Sequence, residues 1–306
     1  MEIYLPIAEM SVNIIGILLL GIMTGILSGM FGVGGGFLTT PLLMFIGIPP
    51  AVAVASSANQ IVASSTTGFL AHWRRDNIDF KMGFLLLEGG IVGSCAGVWL
   101  FAILKKYGQI DLTISLLYVT MLGSIGAIMA MESYRSLYKV QEQQIMPTVV
   151  MRFPFLSRLP MVREFPRSKL QLSALLPLGI GFTSGLLVSL LGVGGGFLMI
   201  PAMIYILGMP TSIVIGTSLF QIIFITANVT FLQAVTTHTV DIVLAILLIF
   251  GSVVGAQIGT RIGSRLPAAK LRGMLAVIVL SVALKLAWDL FAKPHDIYSI
   301  AVMSNT

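Results

Sequence analysis

The stretch "GILSGMFGVGGGFLTTP", residues 25–41, recurs as "GLLVSLLGVGGGFLMIP" at residues 185–201, with Gly25 matching Gly185 and Pro41 matching Pro201. Glycine has the weakest helix propensity short of proline, so a triple glycine inside an apolar run predicts an interrupted helix. Two interruptions at equivalent places predict a shared purpose. The match continues downstream, where "GIPPAVAVASSANQ" (47–60) aligns with "GMPTSIVIGTSLFQ" (208–221), pairing Pro49 with Pro210 and Gln60 with Gln221. Asp79 then pairs with Asp241, and Gly89, Gly93 and Gly97 pair with Gly251, Gly255 and Gly259. The chain is an internal duplication. Its four-residue glycine spacing places small residues on one helix face, where a second helix can approach closely.

The solvent for this duplication is lipid. Only 10% of the 306 residues are charged and 57% are hydrophobic, whereas soluble domains carry about 25% charged residues. No Asp, Glu, Lys or Arg occurs between Glu9 and Arg74, or between Lys169 and Asp241. A span needs roughly 20 apolar residues, so each gap has room for about three crossings. The acidic N-terminus "MEIYLPIAEM" lacks the cationic start of a secretory signal, so the first apolar run reads as a permanent membrane segment. The single cysteine, Cys95, has no intrachain disulfide partner, and thiol chemistry, metal sites and cofactors are not expected.

Apolar segments fall near 11–30, 34–47, 50–72, 81–103 and 111–131, and again near 171–191, 194–208, 211–233, 240–260 and 271–291. This predicts an all-α polytopic membrane protein, with a first repeat over 1–131, a linker over 132–170 and a second repeat over 171–306. The linker holds seven Lys/Arg against three Glu, and prolines at 147, 154, 160 and 166 exclude one long helix. Its alternation of bulky apolar and basic residues fits a segment on an anionic membrane face, and equally a solvated linker with buried anchors. Three basic loops, around Arg74, in the linker and from Arg261 to Arg272, hold most of the 18 Lys/Arg. Placing them in the cytoplasm puts both termini outside. The loop equivalent to the Arg74 loop, "TTHTVD", has no cation and falls outside, so the repeats are inverted. Each repeat then crosses an odd number of times: five, or three if the glycine-linked pair is re-entrant. The positive charge follows the loops, which argues for the membrane and against nucleic acid.

Irregular backbone at membrane depth survives only where it is buried or lines a cavity. Inverted-repeat transporters use broken helices in this way, aiming half-helix N-termini at anions near the midplane. The candidate substrate-binding residues are therefore Gly32, Gly34, Gly35 and Gly36 with Gly192, Gly194, Gly195 and Gly196. The segments after the breaks, "SSANQIVASSTT" and "TSLFQIIFITANVT", add Ser57, Asn59, Gln60, Ser218 and Gln221 as neutral donors to a shared polar cavity. Such donors suit a site that must also release its ligand. Glu88 is the acid deepest inside a span and is the candidate for proton coupling; its counterpart is Phe250. "GVGGGF" lacks the third glycine of a dinucleotide fingerprint, and no Gly-Lys-Ser/Thr follows for a nucleotide loop. No nucleophile–base set points to an enzyme.

The doubled "GVGGGFL" with its following proline, then "PPAVAVASS", "HWRRDNIDF" and "GGIVGSCAG", resembles the sulfite exporter TauE/SafE family, also called the toluene-sulfonate uptake permeases, over roughly 12–131 and 172–291. The resemblance implies a multi-spanning inner-membrane protein that moves sulfite, organosulfonates and related sulfur compounds. It also carries the motif glycines onto the two sets named above. Together with the residues it leads to an alternating-access exporter of a small sulfur anion, with the site between the two breaks. The alternatives are an anion channel on the same scaffold, or a membrane partner or sensor that does not transport. Substrate, direction, coupling ion and oligomeric state are not written in the sequence.

Overall fold

The computed structural model describes residues 2–31, 36–138, 161–165, 167–168, 170–263 and 268–291. A short hairpin, β1 (Glu2–Leu5) and β2 (Met10–Asn13), precedes α1 (Ile14–Phe31), α2 (Gly36–Phe45), α3 (Pro50–Trp73), α4 (Phe80–Lys106) and α5 (Ile110–Tyr138). The order then repeats: β3 (Val162–Phe165), β4 (Leu170–Ser173), α6 (Leu175–Leu191), α7 (Gly196–Tyr205), α8 (Thr211–Thr236), α9 (Ile242–Gly263) and α10 (Ala268–Phe291). The helices match the apolar segments read from the sequence. The hairpins do not appear in that reading, because four-residue strands are too short to register as a pattern. Since β3–β4 repeats β1–β2 in register and place, the duplication reaches upstream of residue 171. The rest of the Pro-rich linker lies outside the described residues.

The helices interlock across the two repeats. α4 lies along α6, with Gly89 and Gly93 backed against the carbonyl oxygens of Leu178 and Phe182; an added Cβ would sit 2.1 and 2.0 Å from them. α1 lies along α9 in the equivalent way, Gly29 against Ala256 and Gly259 against Ile26. The predicted glycine stripes are thus the contact lines between repeats. α3 and α8 form the central pair. Gly68, near the end of α3, packs on Leu219, near the start of α8, so these equivalent helices run in opposite directions. α5 and α10 pack together through Tyr118, Leu122, Val279 and Leu286 in one buried cluster.

α1 and α2 form a helical hairpin that starts and finishes at one end of the molecule: Leu43 and Ile48 pack with Leu5, Val12 and Ile17. Among the described residues, five helices are long and apolar enough to cross a membrane: α4, α5, α8, α9 and α10. α1, α2 and α6 form shorter apolar helices. α3 is 24 residues long, but its serines, threonines, Asn59 and Gln60 dilute its hydropathy.

Two buried carboxylates fasten the repeats. Asp79 caps α4, accepting from the Met82 amide at 3.1 Å, and its other oxygen takes the Ser168 amide (3.1 Å) and hydroxyl (2.6 Å) in the β3–β4 turn. Asp241 caps α9 through the Leu244 amide (3.1 Å) and accepts the Ile7 amide (2.9 Å) in the β1–β2 turn. Their own amides donate to Thr217 and Ser56, again equivalent residues. Each repeat's turn is therefore held by a helix cap of the other. These contacts also sort the charges. Arg74, Arg75 and Lys81 share one end with β3–β4, where Arg167 pairs with Asp76; that pairing holds the guanidinium pKa above its ordinary value. Lys105, Asp111 and Glu9 lie at the other end around β1–β2.

Candidate functional site

The start of α2, just past the first glycine motif, meets the interruption in the second repeat. Beyond α6 the chain runs through Gly192–Gly195 with φ of +64°, +72° and +69° at Gly192, Gly194 and Gly195. This left-handed backbone strains any residue with a Cβ. Gly195 then starts α7, its carbonyl accepting the Met199 amide at 2.8 Å. Phe37 and Phe197, each following the last glycine of its motif, stack with centroids 4.7 Å apart and rings 5° from parallel. That stack brings the first turns of α2 and α7 together. A Cβ on Gly36 would lie 2.7 Å from the Gly192 carbonyl oxygen, and both Gly36 and Gly194 back onto Ile61 in α3. Gly36, Gly192, Gly194, Gly195 and Gly196 are all buried there. Gly32, Gly34 and Gly35 lie outside the described residues.

Neutral polar groups surround this junction. Ser57 Oγ sits 2.8 Å from Thr40 Oγ1 and 3.4 Å from the Gly192 carbonyl oxygen. The Tyr118 hydroxyl of α5 donates to the carbonyl of Leu191, the last residue of α6. Side chains of the first repeat therefore grip the edge of the break in the second. Gln60 Nε2 donates to Thr24 Oγ1 of α1 at 3.0 Å. The equivalent positions, Gln221 and Ser184, behave differently. Both polar atoms of the Gln221 amide and the Ser184 hydroxyl are buried without any hydrogen-bond partner, as is Gln60 Oε1. A Cβ on Gly195 would lie 2.5 Å from Ser184 Oγ, which puts that hydroxyl at the break itself. A buried polar group left unpaired costs about 1–3 kcal/mol. The Ser184 hydroxyl, kept unpartnered beside the positive end of α7, has the chemistry of a ligand donor.

The family model for the sulfite exporter TauE/SafE matches residues 17–286, through both breaks and all the helices that frame them. The chain belongs to the TauE/SafE family. It is similar to a probable membrane transporter protein of Bacillus subtilis, YjnA, at 30% identity over 275 residues, covering 89% of this chain and 99% of the relative. A probable membrane transporter protein of Xylella fastidiosa is 25% identical over 277 residues, 89% of this chain and 94% of the relative. Sulfite exporter TauE/SafE family protein 2 of Arabidopsis thaliana matches over a shorter stretch, 43% identical across 47 residues, 15% of this chain and 10% of that protein. No solved structure matches. The chain is thus a multi-pass membrane transporter of the TauE/SafE family.

Not every residue expected at this TauE/SafE site reaches it. Ser218 is buried on the same face of α8 as Gln221, its hydroxyl donating to the Ile215 carbonyl at 3.0 Å. Asn59 lies about 200° around α3 from Ser57 and so faces away from the junction. It is half-buried, and its Nδ2 has no partner. Glu88 is exposed on the outer side of α4, one turn from Phe84 and Val92, which are 54% and 61% exposed. The glycines that meet α6 lie on another side of α4. Four polar residues of the junction went unread: Thr24, Thr40, Tyr118 and Ser184. Thr24 and Ser184 were accessible through the duplication, since each precedes a matched glycine, Gly25 or Gly185. Thr40 aligns with Ile200 and Tyr118 with an unmatched stretch of the other repeat, and only the packing of α2 and α5 brings them in.

Proposed function

We propose that this TauE/SafE protein is a secondary transporter that exports a small sulfur oxyanion, sulfite or an organosulfonate, across the inner membrane by alternating access. The observation that carries the reading is the buried break of the second repeat, packed against the first turn of α2, with the unpartnered Ser184 hydroxyl beside Gly195; the equally unpartnered Gln221 amide is its proposed companion donor. Gln221 Nε2 and Ser184 Oγ–H donate to the anion, and the N-terminal end of α7 adds its dipole. All of these donors are neutral, so the anion is held without a full countercharge and can leave. The opposite running of α3 and α8 supports inverted repeats, in which the two halves exchange roles about a central site. The basic end with Arg74, Arg75 and Lys81 is cytoplasmic by the positive-inside rule, which places the β1–β2 end outside. An inside-negative potential then contributes about 2.3 kcal/mol per charge per 100 mV to efflux. That is enough for export without a coupled ion, and no enzymatic step is invoked.

The buried junction, closed over by the Phe37–Phe197 stack, favours a carrier over an anion channel. Proteoliposome flux of radiolabelled sulfite, sulfate, thiosulfate and an alkyl sulfonate tests both readings. A carrier saturates and discriminates among the four anions. Flux that rises linearly with concentration, or single-channel currents, would establish the channel instead. No flux of any of them would leave the non-transporting partner.

A further inference from the structure

We infer that Tyr118, Gln233 and Ser57 are specificity-determining positioning residues, which occupy the carbonyl oxygens at the end of α6 so that the break offers donors to an anion and no seat to a cation. The last carbonyls of a helix have no partner within it and carry the negative end of its dipole. In transporters built on broken helices such carbonyls coordinate the coupling cation. At the end of α6 they are taken. The Gly192 amide donates to the Val188 carbonyl at 2.8 Å. Gln233 Nε2, from α8, donates to the Ser189 carbonyl at 2.9 Å. The Tyr118 hydroxyl, from α5, donates to the Leu191 carbonyl. Ser57 Oγ, from α3, stands 3.4 Å from the Gly192 carbonyl oxygen and 3.0 Å from that of Val54, with Thr40 Oγ1 behind it at 2.8 Å. Past the break, the carbonyls of Gly194 and Gly195 accept the amides of Gly196 and Met199, both at 2.8 Å. Three side chains from three separate helices, each fully buried, are thus committed to one helix end. The amides are in the opposite condition: among the described residues, nothing accepts from those of Val193, Gly194 or Gly195. Capped acceptors beside bare donors make the local field positive without a formal charge. Ser57, expected from the sequence to hold the ligand, serves the carbonyl end of the break instead.

The ligand class rests on the transport reading above, and the test keeps the two apart. Sulfite flux through the unaltered protein in proteoliposomes is the same in sodium and in choline buffer of equal ionic strength. Tyr118→Phe removes one hydroxyl and bares the Leu191 carbonyl. It raises the KM for sulfite about 2- to 30-fold, the range over which a helix end acts on a nearby charge, with kcat per folded molecule unchanged. A packing role alone would lower the amount of folded protein and leave KM as it was. Gln233→Leu, whose Oε1 has no partner to lose, acts in the same direction, so the answer does not hang on one variant folding. The double variant gains a melting-temperature rise in sodium over choline in detergent, as binding to the folded state produces; the unaltered protein shows none. Sodium-dependent flux in the unaltered protein overturns the inference. An unchanged KM in both single variants, or a double variant indifferent to sodium, overturns it as well. Absence of sulfur-oxyanion flux in the unaltered protein overturns the transport reading and leaves the sodium response of the double variant to decide the capping.

Discussion

Thr24 and Ser184 are equivalent hydroxyls in equivalent helices, yet replacing them has opposite consequences. Thr24 Oγ1 accepts from Gln60 Nε2 at 3.0 Å, and both side chains are fully buried. Thr24→Val keeps the shape but strands the Gln60 amide, whose Oε1 already lacks a partner. The loss of one buried partner costs about 1–3 kcal/mol, so the purified protein unfolds at lower temperature. Ser184 Oγ has no partner to strand, and Ser184→Ala leaves thermal stability unchanged or slightly raised. If that hydroxyl donates to the bound anion, its removal forfeits a charge-assisted hydrogen bond of about 1.5–3 kcal/mol. That converts to a rise of about 10- to 150-fold in the KM for sulfite in proteoliposomes. Thr24→Val changes stability first; Ser184→Ala changes transport first. If Ser184→Ala unfolds as readily as Thr24→Val and transports with unaltered KM, the orphaned hydroxyl is packing, and the site is not at the break of the second repeat.

Further expectations follow from the same contacts. Gly195→Ala places a Cβ at φ +69°, 2.5 Å from Ser184 Oγ. It adds about 1–2 kcal/mol of backbone strain and abolishes flux in protein that still reaches the membrane. Gly93→Val collides with the Phe182 carbonyl, whereas Gly123→Val meets nothing within 4 Å. Only the first loses folded protein in detergent, as gel filtration would show. Asp79→Ala and Asp241→Ala each remove a helix cap, a loss of about 0.5–2 kcal/mol, and release the opposite hairpin turn, which limited proteolysis would detect. Glu88→Gln leaves sulfite flux and its response to a pH gradient at clamped voltage unchanged, because Glu88 lies on the outer side of α4. A changed response would bring that carboxyl back into the transport cycle.

The sequence alone determined the solvent, the helices and the duplication. Those properties are carried by composition and by short-range patterns, such as an uncharged run from Met10 to Trp73 or a glycine every fourth residue in α4. The doubled glycine motif also located the break in the second repeat, where three left-handed glycines can be replaced by nothing bulkier. Tertiary structure decided which polar groups share a space. Ser57, Asn59 and Gln60 are neighbours in the chain, yet a turn of 100° per residue sends Ser57 to the break and Asn59 away from it. Glu88 looked central because depth along a helix is legible in sequence, while the side of the helix that meets another is fixed only when α6 covers the glycine face. The pairing of Gln60 with Thr24, and its absence between Gln221 and Ser184, involves helices separated by dozens of residues. The sequences of the two halves are nearly interchangeable at these positions; their packing is not.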